Sequence, residues 1–292
     1  MISNKTAPGP LRKLIIILEM IKFEHTVFAL PFALISALIA AGGLPDYSTL
    51  GWIIVAMVGA RSAAMAFNRI ADAKIDAINP RTASRAIPRG LISTSAAWLF
   101  TVISAGLLVF AAYMLNPLAF ALSPVALAAI VLYSYTKRFT SLSHVWLGLC
   151  LGIAPVGAWI AVTGKIELPS LVLSTAVIMW TAGFDIIYSL QDVDFDHKTG
   201  LFSLPVRLGP KLALFISRLF HAGMVGLLIW FGMLCQMGAI YYAGVVFVSL
   251  FLIYEQRMVS ADDISQVNTA FFTMNGCVSI LMLLFVIADV YL

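Results

Sequence analysis

Apolar runs of about 20 residues or more recur along this chain and constrain its fold more than any other feature. A helix needs roughly 20 apolar residues to cross a bilayer. Charged residues make up only 11% of the sequence, against about 25% in an ordinary soluble domain, so they could not cover a soluble surface. Because backbone polar groups must be satisfied within lipid, runs of this length should be helical. The sequence therefore predicts an all-α integral membrane protein.

The apolar runs divide the chain into about nine transmembrane helices, which we interpret as one polytopic domain over 1–292 that begins with a short polar tail at 1–10. Short segments with Gly, Pro or Asn separate the runs. The three cysteines lie in apolar runs without CxxC spacing, which argues against disulfides or a zinc site. The predicted spans are 14–41, 48–75, 93–115, 118–136, 142–162, 169–192, 209–234, 238–258 and 265–290.

Lysine and arginine residues predict the orientation of these spans. If nine spans alternate, the basic residues of the loops fall on one side, and Lys165 alone falls on the other. The positive-inside rule then places the N-terminus and the loops after spans two and six in the cytoplasm. We expect the protein to lie in a bacterial inner membrane.

The second span ends in a ladder of polar side chains. Asn68, Asp72 and Asp76 are four residues apart, so they stack on one face of a helix, and Arg61 falls on that face as well. Pro80 should end this helix. Carboxylates in the last turns of a helix face the unfavourable end of its dipole. The arrangement therefore favours a bound cation, such as Mg²⁺ with its preference for oxygen ligands.

The sixth span ends in a second ladder. Asp185, Tyr188, Asp192 and Asp196 are spaced by three and four residues and form one stripe, whereas Asp194 points elsewhere. A single aspartate at a membrane interface could simply be solvated. Two acidic ladders on the same membrane face are costly unless a cation neutralises them, and they indicate a functional site.

Basic residues follow both ladders on the same predicted face. Arginine and lysine neutralise phosphate oxygens, and carboxylates hold the metal ion that accompanies them. The pattern therefore indicates a Mg²⁺–diphosphate site, although each basic residue could instead serve only membrane topology. Lys137 and Arg85 are the strongest candidates. The full set predicted to bind diphosphate is Arg85, Lys137, Arg138, Lys198 and Tyr188.

Both ladders resemble known signatures. Asn68-x-x-x-Asp72-x-x-x-Asp76 resembles the first motif of the UbiA family of intramembrane prenyltransferases, and Asp185-x-x-Tyr188-x-x-x-Asp192-x-x-x-Asp196 resembles the second. The segments 133–138 and 200–205 also look like that family. The resemblance extends over nearly the whole chain. It implies a helical bundle around a central cavity under a cytoplasmic cap, within a lipid bilayer.

The resemblance also implies an activity and its site. Two Mg²⁺ ions would bridge the aspartates and the diphosphate of a polyprenyl donor, and the prenyl chain would move to an aromatic acid; nucleic acid is not an expected partner. The implied metal ligands are Asn68, Asp72, Asp76, Asp192 and Asp196, and the implied catalytic residues are Asp72, Asp185 and Asp192.

Two assignments within this picture stay open at the level of sequence. Either Asp185 or Asp192 could assist deprotonation of the acceptor or steady the carbocation. Arg61 could neutralise the acceptor's carboxylate or pair with the ladder acids. His25 is a further candidate for the acceptor pocket.

Two candidate acceptors and two other functional classes remain. The first acceptor candidate is 4-hydroxybenzoate, as in ubiquinone synthesis. The segments 22–31 and 79–82 also look like relatives that prenylate 1,4-dihydroxy-6-naphthoate in the futalosine route to menaquinone. A secondary transporter would be expected to place its acids near the midplane beside broken helices. A purely structural membrane protein would leave the ladders unexplained.

Overall fold

The computed structural model describes residues 28–292, together with Ile16 and Glu19. His25 and the polar tail at 1–10 lie outside the described residues. Within this part of the chain the secondary structure is helical, with no strand. The helices are α1 Leu30–Ala41, α2 Tyr47–Ala71, α3 Ala73–Ile78, α4 Thr94–Leu115, α5 Pro117–Thr136, α6 Ser143–Thr163, α7 Leu168–Ser189, α8 Val193–Thr199, α9 Leu204–Leu208, α10 Pro210–Leu234, α11 Ala239–Met258, α12 Val267–Thr269 and α13 Asn275–Tyr291.

Eight helical segments of the described chain are long and apolar enough to cross a membrane. They correspond to the second to ninth predicted spans, with α7 and α8 forming one segment and α12 and α13 forming another. The shorter apolar helix α1 covers the C-terminal part of the first predicted span. The prediction of an all-α fold with about nine spans is thus confirmed.

Local sequence signals set several helix ends. The side chain of Asn116 accepts a hydrogen bond from the amide of Ala119 at 2.9 Å and caps α5, and Pro117 occupies the first turn. Asp46 caps α2 in the same way through Thr49. Gly164 ends α6 with a φ of 69°, which glycine adopts without steric cost. These caps supply the partners that backbone groups at helix ends lack.

Both polar ladders interrupt their helices, whereas the sequence predicted continuous spans over 48–75 and 169–192. The helix breaks at Asp72 between α2 and α3, and a 3₁₀ turn at Leu190–Asp192 separates α7 from α8. Asp72 has φ −94° and ψ 4°, and Asp192 has φ −107° and ψ 2°. Both lie near the bridge region, where active-site residues often occur. At the first break, Arg138 donates a hydrogen bond of 2.7 Å to the carbonyl of Ala71.

Helix α7 is the most deeply buried of the described spans and packs against α6 on one side and α10 on the other. Two glycines of α6 allow a close backbone approach. A Cβ atom on Gly148 would lie 2.5 Å from the carbonyl oxygen of Ile178, and one on Gly152 would lie 3.0 Å from that of Ser174. Small residues at such crossings are typical of membrane helices. They fix the position of α6 relative to α7.

We expect Gly148→Ala to destabilise the protein, because a methyl group at this position would collide with the backbone of α7. Overpacking of this kind costs about 1–3 kcal/mol. The melting temperature in detergent should fall, whereas Gly157→Ala on the same helix, with no atom within 4 Å of its Cβ position, should leave it unchanged or raised. Equal melting temperatures for the two variants would contradict the tight α6–α7 crossing.

Candidate active site

A polar cavity of about 170 Å³ lies at the end of the bundle where both interrupted helices stop. The ends of α2, α5 and α7 and the segments that follow them form its walls. Its lining brings together side chains that are more than 100 residues apart in sequence. The charged and polar ones are Asn68, Asp72, Asp76, Asn79, Arg81, Thr82, Arg85, Tyr133, Ser134, Lys137, Arg138, Asp185, Tyr188, Ser189, Asp192 and Asp196.

Asp72 lies at the first helix break and is held from two sides. The amide of Asn68, one turn earlier, donates a hydrogen bond of 3.0 Å to its Oδ2 atom. Arg138 from the end of α5 donates one of 3.1 Å to Oδ1. Burial raises the pKa of Asp72 above its usual value, and the hydrogen bond from Arg138 acts in the opposite direction.

Asp76, on α3, carries an oxygen atom without a partner. Arg85 donates a hydrogen bond of 2.6 Å to Oδ1, and the side chain is 6% exposed. Its Oδ2 atom is buried and receives no hydrogen bond from any residue in the described chain. A buried carboxylate oxygen without a donor is costly, so this atom fits the role of a cation ligand.

Asp192 is held by Arg81 across 111 residues of sequence. The Nε atom of Arg81 donates to Oδ1 at 2.9 Å and its Nη2 atom donates to Oδ2 at 2.5 Å, which is a bidentate arginine–carboxylate pair. Arg81 also donates to the hydroxyl group of Tyr188 at 3.1 Å. Burial alone would lower the pKa of Arg81, but the hydrogen bond and charge of Asp192 outweigh it and raise the pKa.

Asp196 pairs with Lys137, whose Nζ atom lies 3.3 Å from Oδ2. The backbone amide of Phe202 donates a hydrogen bond of 2.7 Å to the carbonyl of Lys137, which fastens the segment after α8 to the end of α5. Burial would lower the pKa of Lys137, but Asp196, Asp192 and Asp185 raise it above its ordinary value. Lys137 therefore carries its charge at neutral pH.

Four of the five ladder aspartates thus each have an arginine or lysine partner: Asp72 has Arg138, Asp76 has Arg85, Asp192 has Arg81 and Asp196 has Lys137. No three acidic, histidine or cysteine side chains of the described residues converge on one point. Mg²⁺ typically uses one or two carboxylates and completes its shell with water and substrate phosphate. The donor set therefore fits a divalent cation that binds together with a phosphate group.

Tyr188, which lines the cavity, also contacts a cluster of aromatic rings in the core of the bundle. The ring of Tyr188 lies 4.1 Å from that of Phe271, centroid to centroid, and Phe271 contacts Phe184 at 5.3 Å. Phe184 continues to Trp180 at 5.1 Å. These buried rings form an apolar layer behind Tyr188, and aromatic faces attract positive charge.

Most predicted site residues within the described part of the chain line this cavity, but two of those described residues do not. Arg61 lies half-buried on α2, two turns deeper in the bundle than Asn68. Lys198 is exposed on α8, because two residues of helix turn it about 200° away from Asp196. The geometry therefore gives no support to Lys198 as a diphosphate ligand. Asp194 is likewise exposed, on the side away from the cavity.

A family model described as the UbiA prenyltransferase family matches residues 29–277. The chain belongs to the UbiA prenyltransferase family. A 4-hydroxybenzoate octaprenyltransferase of Vibrio atlanticus (strain LGP32) is 33% identical over 230 residues, which is 78% of this chain and 80% of the relative. The predicted family is thereby confirmed: the chain is a prenyltransferase and an integral membrane protein.

Solved structures of UbiA homologs share the fold. The apo structure of a homolog from Aeropyrum pernix K1 has a TM-score of 0.83 and 36% identity, and the match covers 91% of this chain and 98% of that chain. A homolog from Archaeoglobus fulgidus bound to DMAPP and Mg²⁺ has a TM-score of 0.75 at 18% identity, with 94% and 98% covered.

The UbiA motifs did not reveal three residues that the structure places at the site. Arg81 and Asn79 hold Asp192, and His144 contacts Asp185. A histidine inside an apolar run is itself a signal, because ionisable groups within a membrane are costly. The partner of each residue lies far away in sequence, and no local pattern predicts it.

Proposed function

We propose that this UbiA-family chain transfers a polyprenyl group from its diphosphate to an aromatic acid, with Mg²⁺ as cofactor and 4-hydroxybenzoate as the first candidate acceptor. The observation that carries the proposal is the set of four carboxylate–base pairs around one cavity at the end of a membrane bundle. These acidic and basic side chains suit the binding of a magnesium diphosphate, and the apolar interior of the bundle suits the prenyl chain attached to it. Relatives named 4-hydroxybenzoate octaprenyltransferase favour respiratory quinone synthesis.

The metal would be held by Asp72, Asp76, Asp192 and Asp196, with Asn68 fixing the orientation of Asp72. We expect two ions, one at each ladder. When bound, Mg²⁺ stabilises the negative charge that develops on the leaving diphosphate. The UbiA homolog from Archaeoglobus fulgidus, which has this fold, is bound to Mg²⁺ and DMAPP.

The chain's own residues perform the remaining tasks. Arg81, Arg85, Lys137 and Arg138 neutralise phosphate oxygens in a partly buried site, where their charges act strongly. The aromatic cluster beneath Tyr188 keeps water from the allylic carbocation. Arg61, two turns deeper on α2 than Asn68, would meet an acceptor carboxylate only if the acceptor enters on the deeper side of the cavity.

The cavity also bears on orientation and on the transporter alternative. We propose that its end of the bundle is cytoplasmic, because the loops there carry the basic residues. A transporter would bind its ion near the bilayer midplane. Here the acids lie at helix ends, which favours the enzyme.

Prenyl transfer can be measured with membranes that contain this protein, a polyprenyl diphosphate and Mg²⁺, with 4-hydroxybenzoate or 1,4-dihydroxy-6-naphthoate as acceptor. We expect a prenylated benzoate that forms only with a divalent cation and disappears with EDTA. Product with the naphthoate alone would change the proposed acceptor to 1,4-dihydroxy-6-naphthoate and leave the rest of the proposal as it stands. No product and no released diphosphate with either acceptor would contradict it.

A further inference from the structure

His144 and Asp185 form a pair beneath the charged part of the cavity. His144 lies in the first turn of α6 and is fully buried. Its Nδ1 atom lies 2.7 Å from Oδ2 of Asp185, whose side chain is 14% exposed and lines the cavity. No other described residue donates a hydrogen bond to this carboxylate.

A hydrogen bond to the second ring nitrogen of His144 fixes its tautomer. The backbone amide of Leu204 donates a hydrogen bond of 3.3 Å to Nε2, so Nε2 carries a lone pair and the ring proton lies on Nδ1. His144 therefore donates to Asp185. Leu204 belongs to the segment after α8. The same segment, which is hydrogen-bonded to the carbonyl of Lys137, therefore also fixes the tautomer of His144.

The contacts of Asp185 and Asp192 differ in a way that favours Asp185 as the base. The sequence alone had left these two acids as alternatives. Asp192 has both oxygens engaged by Arg81, which makes it a weak base. Asp185 has one neutral donor and an edge that faces the cavity. It lies seven residues earlier on the same helical segment, about 10 Å deeper in the bundle. This is below the acids and bases assigned to the diphosphate, at the depth where its prenyl chain would begin.

We infer that His144 is a positioning residue that holds Asp185 as the base for the hydroxyl proton of the aromatic acceptor. The inference rests on the proposed function. A base must lie within hydrogen-bond reach of the proton that it takes, and its orientation is usually fixed by another group. Here the buried imidazole of His144 occupies Oδ2 of Asp185, and Oδ1 is left for the acceptor.

The reaction balances without an oxidant or a reductant. The allylic C–O bond breaks and its electron pair leaves with the diphosphate. The acceptor's hydroxyl proton moves to Asp185, and the ring carbon beside the oxygen forms the new C–C bond. That carbon then loses its hydrogen as a proton to the departing diphosphate, and Asp185 returns its proton to the oxygen.

The test compares His144→Leu with His144→Asn in steady-state kinetics on the acceptor that the wild type prenylates. Leucine removes the donor, whereas the asparagine amide can place an N–H where Nδ1 lies. We expect His144→Leu to lower kcat about 10- to 100-fold with an unchanged KM for the prenyl diphosphate, and His144→Asn to recover most of the loss. His221→Leu is a matched control, because His221 is also buried but has Gln256 and Glu255 as its polar neighbours instead of Asp185, and its kcat should change far less.

A second readout uses a ring-fluorinated analogue of the acceptor, whose hydroxyl group ionises more readily. The defect of His144→Leu relative to wild type should shrink on the analogue, because less help is needed to remove the proton. An equal defect on both acceptors, or no recovery in His144→Asn, would show that His144 only supports the fold. If the wild-type protein prenylated none of the aromatic acceptors, that result would instead contradict the proposed function.

Discussion

Asp72→Ala and Asp192→Ala should each abolish prenyl transfer while the protein still folds and inserts. Both residues line the cavity from helix breaks, and each fixes one basic side chain that we assign to the diphosphate. Loss of one such group removes charge stabilisation worth about 100- to 1,000-fold in rate, and loss of a metal ligand adds to this. Product formation should be measured in membranes that contain equal amounts of each variant.

Asp194→Ala provides the control for these two variants. Asp194 lies only two residues from Asp192 but is exposed on the opposite side of the helix. It should retain wild-type turnover, and all three variants should melt within a few degrees of wild type. Near-normal activity of Asp72→Ala and Asp192→Ala with Mg²⁺ would overturn the metal assignment.

Lys137→Gln should have the second large effect. Lys137 lies 3.3 Å from the almost fully buried Asp196, so its loss removes a phosphate ligand and leaves a buried carboxylate without its cation. We expect kcat/KM for the prenyl diphosphate to fall by about 100-fold or more. The fall should persist at saturating acceptor, because the defect concerns the donor.

Lys198→Gln distinguishes a specific role of Lys137 from general electrostatic attraction. Both substitutions remove one positive charge from the same end of the bundle, but Lys198 is exposed and points away from the cavity. Its substitution should change kcat/KM less than about threefold, as expected for a screened surface charge. Similar losses in the two variants would mean that net charge, rather than the Lys137–Asp196 pair, attracts the donor.

The two ladders show which features of the site helical periodicity can predict. Spacings of four residues predicted that Asn68, Asp72 and Asp76 would share a face, and these side chains do line one cavity. The same periodicity could have excluded Lys198, since it lies two residues from Asp196. The breaks at Asp72 and Leu190–Asp192 were not predicted, because no proline or glycine marks them. At the first break, Arg138, which follows α5, donates a hydrogen bond to the carbonyl of Ala71, and this contact depends on the fold rather than on local sequence.

The pairing of acids with bases could not be predicted from sequence. Arg81 and Asp192 are 111 residues apart, and their contact depends on the path of a loop rather than on any repeat. The loop that contains Arg85 was recognised as basic, but positive-inside topology explains such a loop equally well. Only the folded chain shows which basic side chain contacts which carboxylate.

The pairing also has a consequence for the binding of diphosphate without a metal ion. Because these four acids each have a base of their own within the chain, diphosphate without Mg²⁺ must compete with carboxylates already in place for Arg81, Arg85, Lys137 and Arg138. Such an exchange of partners yields little net free energy. A polyprenyl donor gains the burial of its apolar tail in addition, and inorganic diphosphate does not. Diphosphate without Mg²⁺ should therefore bind weakly to this site.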